Sequence, residues 1–174
     1  MIPAWYMSFV PGSHGALDRV GGVPTHLPPS FPTNSEGRPL RFLAQFYCDP
    51  VRFRLEGTLC LQIYQDLADD DPIPVIVRVP LSAELNELQL GMPAADIAPH
   101  DIEWSYQEDP DQSDDDLVEL ASSKVGGVCY FHHALNPGER LLLFLKEEPV
   151  GFNFGCGELI LAIDSAGQIT IAAA

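Results

Sequence analysis

Alternating apolar and polar positions predict a chain made mostly of β-strands. Period-two alternation, rich in β-branched and aromatic residues, recurs in eight segments. The predicted strands are Trp5–Phe9, Leu40–Tyr47, Thr58–Tyr64, Val75–Val79, Ile102–Tyr106, Arg140–Leu145, Glu158–Ile163 and Gln168–Ile171. The sequence DSAGQ between the last two supplies turn residues, which predicts an antiparallel hairpin there.

Two segments carry helical signals instead. The segment Ser82–Gly91 places Leu85 and Leu88 on one face, with Ser82 as the N-cap. The segment Ser113–Gly127 opens with an S-x-x-D capping pattern and ends at a glycine pair. The pattern therefore predicts short helices among the strands.

An internal repeat divides the chain. The phrase RVGGVP at Arg19–Pro24 returns as KVGGVC at Lys124–Cys129. Further along, Leu43 precedes Gly57 by 14 positions, and Leu143 precedes Gly157 by the same interval. These ordered matches predict two half-domains related by a pseudo-two-fold, with residues 57–63 and 157–163 as equivalent strands. Each VGGV is expected to close a short helix and lead the chain into its sheet.

The predicted fold is therefore α+β, a strand-rich single domain over residues 1–174. It comprises a half-domain at 1–80, an acidic connection at 81–121 and a second half-domain at 122–174. The proline-rich segment Pro24–Pro32 is expected to be an extended surface loop. No apolar run is long enough for a membrane span, and the first residues lack the features of a secretory signal. A cytoplasmic protein is expected.

The charge is concentrated in one part of the chain. The formal net charge is −16, and the window from Val79 to Ser123 has 12 acidic residues and no Lys or Arg. Such a surface suits a cationic partner. It argues against binding nucleic acid, because phosphate contacts need Lys and Arg.

No residues predict a catalytic or metal site. His132 and His133 are adjacent, so in a strand they point to opposite faces and cannot easily grip one ion with Cys129. The runs Asp69–Asp71 and Asp114–Asp116 lack the glycine and ligand spacing of a calcium loop. No nucleophile elbow is present. We therefore expect no metal, no cofactor and no enzymatic activity, and we expect the four cysteines to be buried free thiols.

The phrase RVGGVP, followed by PLRFLAQFYCDP and GTLCLQIY, resembles the YwqG-like family of bacterial domains. The later phrases SKVGGV and GELILAI resemble the C-terminal half of that family. The resemblance implies a mixed, strand-rich fold with two related halves and no known catalytic residues. Family members are often encoded near secreted antibacterial toxins, and at least one looks like the immunity partner of a nuclease effector delivered by type VI secretion.

The segment His100–Asp116 interleaves acidic residues with two aromatic ones. Aromatic residues anchor protein interfaces, whereas charges steer the encounter. An interface is one interpretation, and a solvated acidic loop with Trp104 packed inward is the other. The predicted toxin-binding residues are Glu103, Trp104, Tyr106, Glu108, Asp109, Asp111, Asp114, Asp115 and Asp116.

These observations lead to the expectation of an immunity protein that neutralises a cognate protein toxin, in particular a type VI secretion DNase. Its acidic surface would block the basic active-site cleft. The alternatives are a small-ligand or regulatory binding module, with a cleft between the half-domains, and an enzyme that uses the carboxylates. The sequence leaves self-association open.

Overall fold

The computed structural model describes residues 1–12, 16–66, 73–94, 96–110, 122–131, 135–155 and 157–172. Within these ranges the chain forms one sheet and no helix, so the predicted α+β class is wrong. The fold is all-β, a curled antiparallel half-barrel. The strands are β1 Ile2–Pro11, β2 Arg19–Val20, β3 Arg41–Tyr47, β4 Thr58–Gln65, β5 Val75–Pro80, β6 Met92–Pro93, β7 His100–Asp109, β8 Lys124–Gly126, β9 Arg140–Lys146, β10 Glu158–Ile163 and β11 Ile169–Ala172.

All eight predicted strands are present, because their period-two pattern gives each strand an apolar side to bury. The predicted hairpin is confirmed: β10 and β11 pair antiparallel, with Ile163 opposite Ile169. The pattern missed β2, β6 and β8, which have two or three residues each and are too short to show a period.

The predicted helix at Ser82–Gly91 does not form. The segment consists of turns and an isolated bridge from Leu85 to His26. The buried residue is Asn86, whose side-chain amide bonds the carbonyls of Pro24 and Leu90. Asparagine side chains offer the backbone such alternatives to helical hydrogen bonds. Most of the second predicted helix, from residue 113 to residue 121, lies outside the described residues.

The strand order is β11-β10-β9-β8-β1-β7-β2-β3-β4-β5, with β6 attached in parallel to β3. The order is symmetric about its centre, since β2–β5 run outward on one side and β8–β11 on the other. The predicted equivalents β4 and β10 therefore take corresponding places. The same symmetry matches β7 with β1, although β7 lies in the segment assigned to the connection. The boundaries of the half-domains remain a prediction.

The repeated VGGV phrases have one backbone conformation. Gly21 and Gly22 both have φ of 69°, and Gly126 and Gly127 have φ of 68° and 77°. Glycine reaches this left-handed region without the steric cost that a Cβ brings. In each copy a short strand, β2 before Gly21 or β8 ending at Gly126, stands where the end of a helix was predicted. The repeat thus encodes a turn after a strand.

Both halves contribute to one main core. Its side chains lie on the face of the sheet that we call the inner face, and they include Phe46 and Leu61 from the first half and Leu143 and Leu161 from the second. The opposite, outer face carries a smaller apolar cluster in each half, around Phe42 and Tyr64 in the first and around Phe144 and Ile160 in the second. Curling of the sheet encloses the inner face without a covering helix.

Candidate functional site

The part of the predicted binding segment that forms a described strand is His100–Asp109, the central strand β7. It pairs with β1 in a regular antiparallel register over ten residues, from Pro11 opposite His100 to Ile2 opposite Asp109. Successive side chains of a strand point to opposite faces. Trp104 packs against the main core and therefore lies on the inner face of the sheet. Tyr106 and Glu108 lie on the same face, whereas Glu103 and Asp109 lie on the outer face. The predicted residues therefore do not form one surface.

Trp104 is held by contacts inside the molecule. Its ring packs against Phe46, with centroids 6.5 Å apart, and its Nε1–H donates a hydrogen bond to Asp18 Oδ2 over 2.9 Å. The guanidinium of Arg52 lies 4.6 Å above the ring and 2.7 Å from the same Asp18 oxygen. Trp104 thus packs inward, as one of the two interpretations of the segment expected.

Asp109 is buried in an ion pair. Its side chain is 2% exposed and that of Lys124 is 1% exposed, with Nζ 2.5 Å from Oδ2. The hydroxyl of Tyr6 donates to Oδ1 over 2.6 Å, and the N–H of Val128 donates to Oδ2 over 2.8 Å. Burial raises the pKa of Tyr6, and its hydrogen bond to Asp109 raises it further. These contacts tie β7 to β8, so Asp109 is not available to a partner.

The other described residues of the predicted site are exposed. Tyr106 is 50% exposed; its ring meets Trp5 edge-on at 5.4 Å, and its hydroxyl donates to Glu108 Oε1 over 3.2 Å. Glu103 is exposed on the outer face, opposite Ser8 in the register. The remaining predicted residues, Asp111, Asp114, Asp115 and Asp116, lie outside the described residues.

Several basic residues make contacts within the molecule. All nine Lys and Arg lie in the described ranges. Lys124 and Arg52 pair with partly or fully buried carboxylates, and the buried Arg19 bonds the carbonyls of Ala16 and Val23. No Lys or Arg forms a salt bridge with the exposed carboxylates of the acidic window that the structure describes. These are Glu84, Glu87, Asp96, Glu103 and Glu108.

A polar cluster beneath the proline-rich loop was not predicted. Tyr47 and Thr25 both hydrogen-bond Nδ1 of His26, while Gln62 Nε2 donates to the His26 carbonyl over 2.8 Å and to Gln45 Oε1 over 2.9 Å. Burial lowers the pKa of His26. Glutamines at strand positions between buried apolar residues were the available signal. The polar groups of these side chains satisfy one another's hydrogen-bonding capacity, and these bonds anchor the loop to the outer face.

A groove separates the two ends of the sheet. No Cα atom of β5 lies within 8 Å of one in β11, whereas paired strands are about 4.8 Å apart. The cavity between them measures about 440 Å³ and is lined by Ile76, Arg78, Gln168, Ile169 and Ile171. Arg78 Nη1 crosses the gap to the carbonyl of Gly167 over 3.3 Å. Three isoleucines line the groove together with Arg78 and Gln168, so it presents polar and apolar surface in about equal measure.

The part of the chain that the structure describes holds no cluster of three His, Cys, Asp or Glu side chains able to bind a metal ion. His132, His133 and the Asp runs fall outside that part. The described residues form no helix of the length and apolarity that crossing a membrane requires.

A scan against protein-family models and a search of curated proteins found no match for this chain. The resemblance to YwqG-like domains therefore remains a prediction.

Proposed function

We propose that this chain is a cytoplasmic immunity protein that binds and neutralises a cognate antibacterial toxin. The proposed toxin is a DNase effector of type VI secretion, and the acidic surface blocks its basic active-site cleft. In this proposal the chain has no catalytic activity of its own and needs no cofactor.

One observation carries the proposal: the exposed carboxylates of the acidic window that the structure describes form no salt bridge with Lys or Arg. There are five such carboxylates in the described residues. Surface carboxylates left together repel one another and lower stability. A cationic partner would relieve that repulsion, so the charge pattern favours binding of such a partner.

A DNase suits this surface because its cleft must bind phosphates through basic residues. Carboxylates presented by a folded protein can occupy such a cleft in place of phosphate groups. Complementary fields also speed association, in the best cases to 10⁸–10⁹ M⁻¹s⁻¹ at low salt. Fast capture matters for an inhibitor that must act before DNA is cut.

The central strand holds part of this surface rigidly. Tyr106 and Glu108 extend from the inner face of β7 and Glu103 extends from its outer face, and β7 is paired along its whole length with β1. A preorganised surface loses little conformational entropy on binding. Tyr106 replaces Trp104 as the proposed aromatic anchor on β7, because Tyr106 is half exposed and Trp104 is bonded to Asp18.

The test is a growth assay in a host that carries neither the gene for this chain nor a gene for its toxin. Open reading frames adjacent to the gene for this chain are expressed singly, and those that arrest growth and degrade plasmid DNA are retained. Co-expression of this chain is expected to restore growth and protect the DNA. The proposal would be contradicted if no adjacent open reading frame were toxic. It would also be contradicted if the toxic effect of one persisted on co-expression of this chain.

Charge reversals in this chain then locate the surface that contacts the retained toxin. Glu103→Lys and Glu108→Lys change the charge equally on opposite faces of β7, and Glu56→Lys makes the same change at an exposed site outside the acidic window. Surface plasmon resonance should show slower association for at least one β7 variant and an unchanged rate for Glu56→Lys. Equal rates for all three would place the interface elsewhere.

The groove between β5 and β11 favours a second candidate function, a small-ligand or regulatory binding module. It is built from both halves and has the volume of a small-molecule site. In this case Ile171→Asp would abolish ligand-induced stabilisation in a thermal-shift screen, while toxin neutralisation would be absent from the start.

A further inference from the structure

The segment Leu81–Met92, which we call the leucine loop, presents apolar side chains to solvent. Leu85 is 59% exposed, Leu88 is 80% exposed and Leu90 is 46% exposed. Single exposed leucines are ordinary on protein surfaces, but clustered ones mark interaction sites. These three occur within six residues of one turn.

Asn86 holds this turn in place. Its side chain is buried, and its Nδ2 donates to the carbonyls of Pro24 over 2.8 Å and Leu90 over 2.6 Å. Its Oδ1 accepts the N–H of Leu90 over 2.7 Å, and its own N–H donates to the Thr25 carbonyl over 2.8 Å. The leucine loop is thus fastened to the proline-rich loop, which lies on the outer face of the first half.

The backbone at the end of the turn is also constrained. Gln89 has a φ of 52°, a left-handed conformation that residues other than glycine seldom adopt. Gly91 has a φ of 112°, and a Cβ there would lie 3.1 Å from Pro24 Cδ and 3.2 Å from Phe31 Cε1. Conformations of this kind persist only where the surrounding structure imposes them. The leucines are therefore held outward by a fixed loop.

Charges on the same loop indicate the chemistry of its partner. Glu84 and Glu87 are exposed between the leucines, and no Lys or Arg forms a salt bridge with either carboxylate. The complement of this surface is an apolar pocket with a cationic rim. An apolar anchor surrounded by charges is the usual anatomy of a protein–protein contact.

We propose that the leucine loop is the anchor that inserts into an apolar pocket beside the basic cleft of the partner protein. Leu88, the most exposed of the three leucines, is the central anchor, and Glu84 and Glu87 engage the cationic rim. The identification of that partner as a toxin rests on the proposed function. The inference that an apolar anchor pairs with a pocket that has a basic rim is independent of the proposed function.

The first experiment uses a synthetic amphipathic peptide made only of leucine and lysine, titrated into the full chain by isothermal calorimetry. A peptide with serine in place of leucine is the charge-matched control. Leu88→Ser should weaken binding of the leucine–lysine peptide about tenfold, since one buried leucine is worth roughly that factor. Val51→Ser, which removes a side chain of 72% exposure elsewhere, should leave affinity unchanged.

Equal affinity of the wild type, Leu88→Ser and Val51→Ser would overturn the proposal. So would equal binding of the two peptides, because the contact would then depend on charge alone. Analytical ultracentrifugation of the wild type and Leu88→Ser adds a further outcome. A dimer that Leu88→Ser dissociates would assign the leucine loop to a second copy of this chain and would also overturn the proposal.

The growth assay separates this inference from the proposed function. Rescue by the wild type and by Val51→Ser, with loss of rescue for Leu88→Ser, would support both. Rescue by all three would uphold the immunity function and overturn the role of the leucine loop. No rescue by the wild type would reject the immunity function, and the peptide titration would then decide the inference by itself.

Discussion

Glu108 and Asp109 show how differently neighbouring residues of one strand are used. Glu108 is exposed, whereas Asp109 is 2% exposed and pairs with the buried Lys124. Lys124 also lies 4.1 Å from the ring of Tyr130. An isolated buried charge is strongly unfavourable, so each member of the pair depends on the other.

Asp109→Asn should lower the free energy of unfolding by about 3–5 kcal/mol, because it leaves the charge of Lys124 buried without a counter-ion. Urea denaturation followed by tryptophan fluorescence measures this loss. Glu108→Gln is the matched control and should change stability by less than about 0.5 kcal/mol. Similar values for the two variants would show that the buried pair does not contribute as argued.

His26 makes stability depend on pH. Burial lowers the pKa of His26 below its ordinary value. The His26 imidazole therefore binds a proton more readily in the unfolded chain than in the folded protein. The contribution of His26 is therefore fully present above about pH 6.5 and is lost as the pH falls through its folded pKa.

Unfolding free energies measured between about pH 7 and pH 5 should fall more steeply for the wild type than for His26→Gln. Glutamine cannot titrate and retains hydrogen-bonding capacity toward Tyr47 and Thr25. Parallel pH profiles for the two proteins would assign the pH dependence to other groups.

At the scale of elements, the strands β2 and β8 and the glycine pairs that follow them join the halves to the centre of the sheet. β2 pairs with β7 and β3, and β8 pairs with β1 and β9. A strand of two or three residues has little stability alone. The turn after each strand therefore has to fit its surroundings closely.

Gly127→Ala should destabilise the protein more than Gly37→Ala. Both glycines have positive φ, 77° and 76°, and that conformation alone costs an alanine roughly 1–2 kcal/mol. A Cβ at Gly37 meets nothing within 4 Å, whereas a Cβ at Gly127 overlaps Asp109 Oδ2 and lies 2.8 Å from Ala4 Cβ. Thermal unfolding of both variants makes the comparison, and equal losses would exclude a role for the close contact.

For the whole molecule, the described carboxylates of the acidic window place an excess of negative charge at the surface. Lys124 and Arg19 are buried, while the described carboxylates of the acidic window are exposed, apart from Asp109 and the half-buried Asp101. With a net charge of −16, the folded state bears substantial self-repulsion. Added salt screens repulsion between exposed charges but acts weakly on buried pairs.

The melting temperature should therefore rise as sodium chloride is increased from about 0.01 M to about 0.15 M, over which the screening length falls from about 30 Å to about 8 Å. The triple variant Glu84→Gln, Glu87→Gln, Glu103→Gln should start from a higher melting temperature and respond less. A melting temperature that falls with salt in the wild type would contradict this account.

The sequence by itself determined the strands and the repeat. Period-two patterns predicted eight strands that the structure contains, and the repeated VGGV phrase has positive φ in both copies, although after a strand and not at the predicted end of a helix. These features depend on residues close together in the chain. Alternation decides which side of a strand is buried, and glycine decides which turn is accessible.

Only the tertiary structure decided the fate of Ser82–Gly91, Trp104 and Asp109. The leucine pattern predicted a helix, but Asn86 finds carbonyl partners in the turn and on the distant Pro24, which leaves the leucines outside. The sequence predicts Trp104 and Asp109 as toxin-binding residues, with inward packing of Trp104 as the alternative, and in the structure Asp18 and Lys124 bind them from remote positions. Burial depends on such long-range partners, because a polar group enters the interior only where another satisfies it.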